Sequence, residues 1–233
     1  MPDYAVIIPA YNEEDYLAET IQSVRAAMSA SSGEGCLIVV DNNSTDKTAE
    51  VAGQNGADQV VFEGHNQIAK ARNTGAESTD APHLVFVDAD TNISAEVLQK
   101  ALSLLESGEV AGGGARIVMD QSVSKTVGWI LANWNRVSER WQYAAGSFFF
   151  CRRDAGEEIW LAKGIKRWAR KRGLTFRVIS DPPIVTSGRK SGWFSPMQFV
   201  FQIGLILIFP WATRSRRLCQ IWYRRPETDA AGS

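Results

Sequence analysis

The sequence predicts an α/β fold: a mostly parallel central sheet with helices on both faces, followed by a C-terminal amphipathic helical extension. Three observations predict it. The apolar runs Tyr4–Ile8, Cys36–Val40 and Leu84–Val87 read as buried parallel strands. Stretches with helical apolar spacing lie between them. Each run leads into polar residues, so three strands deliver polar groups to one rim, where open α/β sheets place their ligands.

Taken in order, the first strand is broken by Pro9, and Ala10-Tyr11-Asn12-Glu13-Glu14 then reads as a helix start. Asn12 is a good N-cap, with Glu13, Glu14 and Asp15 in the first turn, where the helix dipole favours them. Leu17, Ile21, Val24 and Met28 follow at helical spacing. The second strand ends in Asp41-Asn42-Asn43-Ser44-Thr45-Asp46, where Ser44 or Thr45 can cap the next helix. Residues 66–78 read as a helix carrying Lys70 and Arg72 near the rim. After the third strand, Ser94 caps a helix carrying Val97, Leu98, Ala101, Leu102 and Leu105, and Gly108 ends it. Residues 109–119 form a strand whose consecutive glycines, Gly112 to Gly114, suggest a bulge. Residues 122–142 read as a helix in which Trp129, Trp134 and Trp141 serve packing, the other reading being ligand stacking. Gly146–Cys151 is a buried strand. Beyond it, Leu161, Ile165 and Trp168 share one helix face and Lys166, Arg167, Arg170, Lys171 and Arg172 the other, with Gly173 as the stop. A strand from Leu174 to Ile179 precedes Asp181-Pro182-Pro183.

Asp88-Ala89-Asp90, at the end of the third strand, carries the most chemistry. Its two carboxylates lie on one face if the strand continues. Like charges so close are unfavourable unless something positive sits between them. A divalent metal does that, and hard oxygen ligands suit Mg²⁺ or Mn²⁺. An ion held by only two protein carboxylates keeps positions open for substrate phosphates. By itself the tripeptide reads equally well as an acidic turn capping the next helix.

The stretches V-I-I-P-A-Y-N-E-E at 6–14, V-V-D-N-N-S-T-D-K-T at 39–48, A-K-A-R-N-T-G at 69–75 and V-F-V-D-A-D at 85–90 change that balance. In order and spacing the chain resembles the family 2 glycosyltransferases, which have the GT-A fold. The second half matches more loosely, through Gly156-Glu157-Glu158 and the helix after it. The resemblance implies a GT-A-like domain over 1–190, an amphipathic extension over 191–225 and a disordered tail over 226–233. It implies inverting transfer of a sugar from a UDP- or GDP-sugar donor to the hydroxyl of a carbohydrate or lipid-linked acceptor. Pro9, Ala10, Tyr11 and Glu13 would hold the base and ribose together with Asp41. Lys70 and Arg72 would help to place the nucleotide. Asp88, Ala89 and Asp90 would carry the ribose and Mg²⁺ or Mn²⁺ contacts, Asp90 being the better metal ligand. Glu158 would be the catalytic base, with Glu157 beside it, because the second acidic residue of the pair is the family's usual base. The Gly112–Gly114 strand resembles the one that lines the acceptor side.

The chain also departs from the family. A glycine-rich, acidic loop usually precedes the catalytic pair, whereas Cys151-Arg152-Arg153-Asp154-Ala155 runs directly into Gly156, roughly ten residues shorter. That shortening alone favours a degenerate, non-catalytic binding or scaffold protein. A nucleotidyltransferase would show a glycine-rich basic loop after the first strand and a dehydrogenase G-x-G-x-x-G, and Pro9-Ala10-Tyr11-Asn12 offers neither. Arg189, after the Ser187-Gly188 turn, could close over a diphosphate, or the turn could be a solvated one.

Composition sets the class. Apolar content of 45% and charged content of 22% are those of a folded soluble protein, and 233 residues suffice for one domain with a sizeable core. The three cysteines, far apart and odd in number, read as free thiols in a reducing cytoplasm, and the N-terminus enters a strand directly rather than through a leader. The net charge of −1 hides an asymmetry: residues 152–225 hold 16 Lys and Arg against 4 Asp and Glu. These cations adjoin the apolar stretch Trp193–Trp211, so an anionic membrane surface at the inner face of the cell membrane is the expected partner, rather than nucleic acid. The uninterrupted run Ile203–Trp211 contains Pro210 and falls well short of the about 20 residues a membrane span needs. It is expected to lie in the interface, with Trp193, Trp211 and Trp222 at headgroup depth and Arg214, Arg216 and Arg217 on lipid phosphates. The other reading of this segment is a helix pair packed on the core or in a homodimer interface.

Overall fold

The structure, a computed structural model, describes residues 1–120, 125–142, 144, 146–158 and 162–188. Strands β1 (Tyr4–Ala10), β2 (Gly35–Asp41), β3 (Gln59–Phe62) and β4 (His83–Val87) alternate with helices α1 (Leu17–Ser29), α2 (Thr48–Gln54) and α3 (Ile68–Glu77). There follow β5 (Thr91–Asn92), α4 (Ala95–Glu106), β6 (Val110–Met119), α5 (Lys125–Trp141), β7 (Phe148–Arg152), a 3-10 turn (Arg153–Glu158), α6 (Ala162–Lys171) and β8 (Thr175–Thr186). The chain divides into two units, one of Met1–Val118 with Asn133–Thr186 and one of Met119–Ala132 with Ser187–Ser233. The first unit carries one eight-stranded sheet in the order β3-β2-β1-β4-β7-β6-β8-β5.

The expected α/β class holds. β1 to β4 pair in parallel, with Tyr4 opposite Gly35 and His83, and every residue of β1 is buried. Burial on both faces is what an unbroken apolar run requires. β7 runs antiparallel to both of its neighbours, β4 and β6, which converts the parallel half into a mixed sheet.

Several local expectations change. Pro9 does not break β1; it pairs with Val40. The carbonyl of Ala10 accepts from Asn42 N on the β2 side, so by alternation the donor Pro9 lacks would point toward β4, whose pairing has already ended at Phe86. Asn12 is not a helix cap. It has a positive φ of 51°, and α1 starts later, at Leu17. Its side-chain oxygen accepts from Thr45 N at 2.8 Å instead, tying the loop after β1 to the loop after β2. Asp46, rather than Ser44 or Thr45, meets the start of α2, accepting from Thr48 N at 3.0 Å. Ser94 caps α4 as expected, its hydroxyl accepting from Val97 N at 3.3 Å. The glycines of β6 form no bulge: Gly112, Gly113 and Gly114 pair in regular register with Cys151, Phe150 and Phe149. β8 runs on through Asp181-Pro182-Pro183 to Thr186 instead of ending at Ile179. Trp129 and Trp141 are 69% and 65% exposed, so neither packs a core. Among the described residues Cys36 and Cys151 are free thiols, and burial pushes Cys151 up to about 12. No helix of the described residues is long and apolar enough to cross a membrane. The 190/191 boundary, the 193–211 apolar stretch, the extension to 225 and the tail lie outside the described residues.

α3 owes its place to Gly75. A Cβ there would sit 2.9 Å from Val40 Cγ2 and closer still to Ile7 Cγ2, both core side chains with no exposure. Glu63 anchors the same helix. Its amide donates to Asp41 O at 2.9 Å, and its carboxylate accepts from Thr74 Oγ1 at 2.6 Å and from His65 N at 2.8 Å. The Thr74 hydroxyl first, then the His65 amide, hold Glu63 down at about 2 against an ordinary value of 4.5.

Gly75→Ala should destabilise the protein by about 1–3 kcal/mol through overpacking, despite alanine's better helix propensity. Urea unfolding measures this; an unchanged midpoint would show that α3 can lift away without cost. Glu63, depressed when folded, contributes stability that is full above pH 4.5 and is lost as pH falls toward about 2. Thr74→Val should shrink that acid-side loss, read from unfolding midpoints between these limits.

Candidate functional site

Parallel strands point their C-terminal ends to one edge, so β1, β2 and β4 bring their following loops together there. The loops after β1 and β2 interlock. Asn12 N donates to Ser44 Oγ at 3.0 Å, Glu13 N to Thr48 Oγ1 at 2.8 Å, and Ser44 N to Asp41 Oδ1 at 3.0 Å. Asp41 is thereby fixed and 8% exposed. Pro9 and Ala10 are buried in the last two positions of β1; Tyr11 is half-buried just beyond them, and Glu13 is buried. Asn42 Oδ1 accepts from Gln67 N at 3.2 Å, which fastens the start of α3 to the end of β2.

Arg72 and Asp88 form the centre. Arg72 Nη2 lies 2.8 Å from Asp88 Oδ1, the two side chains being only 16% and 14% exposed. The same nitrogen donates to Gly146 O at 2.7 Å. The guanidinium carbon stands 5.1 Å from the centroid of Phe149, whose ring stacks on Phe86 at 4.3 Å and 13°. Asp88 N donates to Ser147 O at 3.0 Å, and Asp88 O accepts from Thr91 N at 3.0 Å. Ala89 O accepts from Thr20 Oγ1 at 2.9 Å. The Asp88–Asp90 turn is therefore held from α1, β5 and the β7 approach together. Buried Nε of Arg72 has no hydrogen-bond partner among the described residues.

The expected residues are distributed as follows. Asp41, Arg72, Asp88, Ala89 and Asp90 lie at this rim, and Lys70 lies on α3 two positions before Arg72. Glu157 and Glu158 do not open a helix. They close the 3-10 turn after β7, and α6 begins only at Ala162. Their side chains, like Arg189, lie outside the described residues. The first residue of that turn is pinned: Arg153 Nε donates to Ala81 O at 2.8 Å and Nη1 to Ala76 O at 3.0 Å. Sequence reading missed Phe149, Gly146 and Ser147. Phe148–Phe150 signalled a buried strand, but only its antiparallel place beside β4 shows that Phe149 meets Arg72.

The Glycosyl transferase family 2 model matches residues 5–160. An uncharacterized glycosyltransferase of Mycobacterium tuberculosis is 36% identical over 103 residues, 44% of this chain and 44% of that one. A low-salt glycan biosynthesis hexosyltransferase of Haloferax volcanii is 32% identical over 108 residues, 46% of this chain and 26% of that one. The matched stretch thus spans less than half the length of these curated relatives. Among solved structures, glucosyl-3-phosphoglycerate synthase from Mycobacterium tuberculosis, in complex with Mn²⁺, UDP and glucosyl-3-phosphoglycerate, shares the fold. Its TM-score is 0.63 at 18% identity, covering 94% of this chain and 80% of that one. A mannosyltransferase from Pyrobaculum calidifontis, in complex with GDP-Man and Mn²⁺, gives 0.60 at 19% identity, covering 100% and 76%. With the motifs, the rim and the family model all coinciding over the same residues, the chain belongs to glycosyl transferase family 2.

Proposed function

We propose that the protein transfers a sugar, with inversion, from a nucleoside-diphosphate-sugar donor to an acceptor hydroxyl. The observation that carries this reading is the Arg72–Asp88 pair at the end of β4, set beside the interlocked loops after β1 and β2. UDP and GDP-Man in the structures of similar fold support the donor class.

In this reading Pro9, Ala10, Tyr11, Glu13 and Asp41 hold the base and ribose. The unpartnered Nε of Arg72 is a donor left for a phosphate oxygen, and Lys70 adds charge on the same helix. Asp88 and Asp90 fit Mg²⁺ or Mn²⁺, because they offer only hard oxygen ligands. An ion held by these two carboxylates alone would keep positions for phosphate oxygens. In this reading Asp90 is the better metal ligand, as the family resemblance implies, while Asp88 is also held by Arg72. When bound, the ion supplies Lewis-acid stabilisation of the departing diphosphate. Glu158 takes the proton of the acceptor hydroxyl as its oxygen attacks the anomeric carbon and the bond to the diphosphate breaks. The displacement is direct, so no covalent enzyme intermediate forms. The acceptor is a carbohydrate or a lipid-linked molecule at the cytoplasmic membrane face, consistent with the basic character of residues 152–225.

Asp90→Asn should abolish the Mn²⁺ dependence of donor binding while thermal unfolding stays unchanged. Calorimetry with UDP- and GDP-sugars, with and without Mn²⁺, reads it, and unchanged affinity in the variant would remove Asp90 from the metal. Glu158→Gln should lower transfer by about 10²–10⁴-fold with donor affinity intact. Glu157→Gln should be mild, and the opposite pattern would exchange the two roles. Donor hydrolysis and transfer both absent from wild type, with donor still bound, would instead favour the non-catalytic binding protein.

A further inference from the structure

Beyond Asn133, α5 shows two unlike faces. Arg136, Val137, Arg140 and Trp141 are all exposed, Val137 at 44% and Trp141 at 65%. Their spacing puts them on one continuous stripe. The other face is fixed to the sheet: Asn135 Nδ2 donates to Ile117 O at 2.8 Å, its Oδ1 accepts from Ile117 N at 3.3 Å, and Ser138 is buried. With both backbone groups of Ile117 held in this way, α5 cannot roll to hide Trp141. The end of α5 meets α6, where Lys166 Nζ donates to Trp141 O at 2.6 Å. α6 buries Ile165, Trp168 and Ala169 and exposes Arg167, Arg170 and Lys171. Among the described residues, Arg136, Arg167, Arg170 and Lys171 have no carboxylate within ion-pair distance. Arg140 stands 6.0 Å over the Trp141 ring.

We propose that this face of α5 docks on an anionic lipid bilayer, with Trp141 and Val137 entering the headgroup boundary, Arg136 and Arg140 resting on lipid phosphates, and the exposed cations of α6 adding to the positive charge of the same unit. Glu139 is the carboxylate of α5, half-buried beside the stripe and in no ion pair among the described residues, and a merely solvated helix face would carry no large exposed apolar pair. Tryptophan bracketed by arginine is the composition of a membrane interface. A nucleic acid would use the cations and the indole but has no use for Val137. Docking rests on the transfer reading only for its purpose, since a bilayer is where a lipid-linked acceptor lies; the binding itself needs neither donor nor metal.

The full chain should sediment with phosphatidylcholine vesicles that contain phosphatidylglycerol, not with phosphatidylcholine alone, and high salt should release it. Arg136→Gln with Arg140→Gln should weaken binding by about fivefold per arginine removed. Trp141→Ser and, separately, Val137→Ser should weaken vesicle binding while leaving circular dichroism and the unfolding midpoint unchanged. Undiminished binding by these variants would overturn the proposal and transfer membrane contact to residues 191–225. Wild-type binding to single-stranded RNA but not to vesicles, lost with the arginines and indifferent to Val137→Ser, would also overturn it, in favour of a nucleic-acid surface. Calorimetry of donor binding runs in parallel. Vesicle binding without donor binding defeats the transfer reading alone, and donor binding without vesicle binding defeats docking alone.

Discussion

The guanidinium of Arg72 joins parts of the chain as much as 74 residues apart. It bonds Asp88 at the end of β4 and Gly146 ahead of β7, and it lies over Phe149, which stacks on Phe86 of β4. Two charges this shielded give up much of their hydration, a cost of several kcal/mol per ion before attraction repays it. The geometry repays it with a short charged hydrogen bond, a carbonyl and an aromatic face. Removing either partner would strand the other. The end of β4 and the approach to β7 therefore hold together through one side chain of α3, and Asp88 keeps its aim because of it.

That side chain reaches the rim only because α3 lies close to the sheet. Ala71, Gly75 and Ala76 form its buried stripe, and Gly75 is where β1 and β2 side chains come nearest. Glu63 and Asn42 then fix the helix lengthwise, one through Thr74 and the other at Gln67. The motif A-K-A-R-N-T-G thus combines two demands. Its small residues set the depth of the helix, and its arginine uses the position so gained.

The parallel half of the fold was legible because its strands are buried on both faces, which forces apolar runs that end at the ligand edge. The meeting of Asp41, Arg72, Asp88 and Asp90 at one rim was legible because the aspartates follow strands that end at that edge and Arg72 lies on the helix between them. What was missed depended on partners distant in sequence. Pro9 reads as a breaker until β1 is known to outrun β4. Asn12 reads as a cap until Thr45 is known to claim its side chain. Gly112–Gly114 read as a bulge, yet they lie in register because neighbours press on them: a Cβ at Gly112 would meet Phe150 O at 2.6 Å and one at Gly114 would meet Ala144 Cβ at 2.5 Å. Trp129 and Trp141 read as packing residues because large apolar side chains usually are, and helical spacing alone does not say which face a helix buries.

Charge balance links the rim to the chemistry proposed for it. Asp41, Asp88 and Asp90 stand there against Arg72 and Lys70, and the charge of Arg72 is already engaged by Asp88. Among these described residues, a diphosphate brought to this edge meets three carboxylates and two cations. Like charges at such distances, away from bulk water, oppose binding strongly. One divalent cation brings two positive charges to offset that excess. The charge at the ends of β2 and β4 is thus the physical reason for proposing a divalent cation in donor binding, and that reason does not depend on which sugar or base the pocket selects.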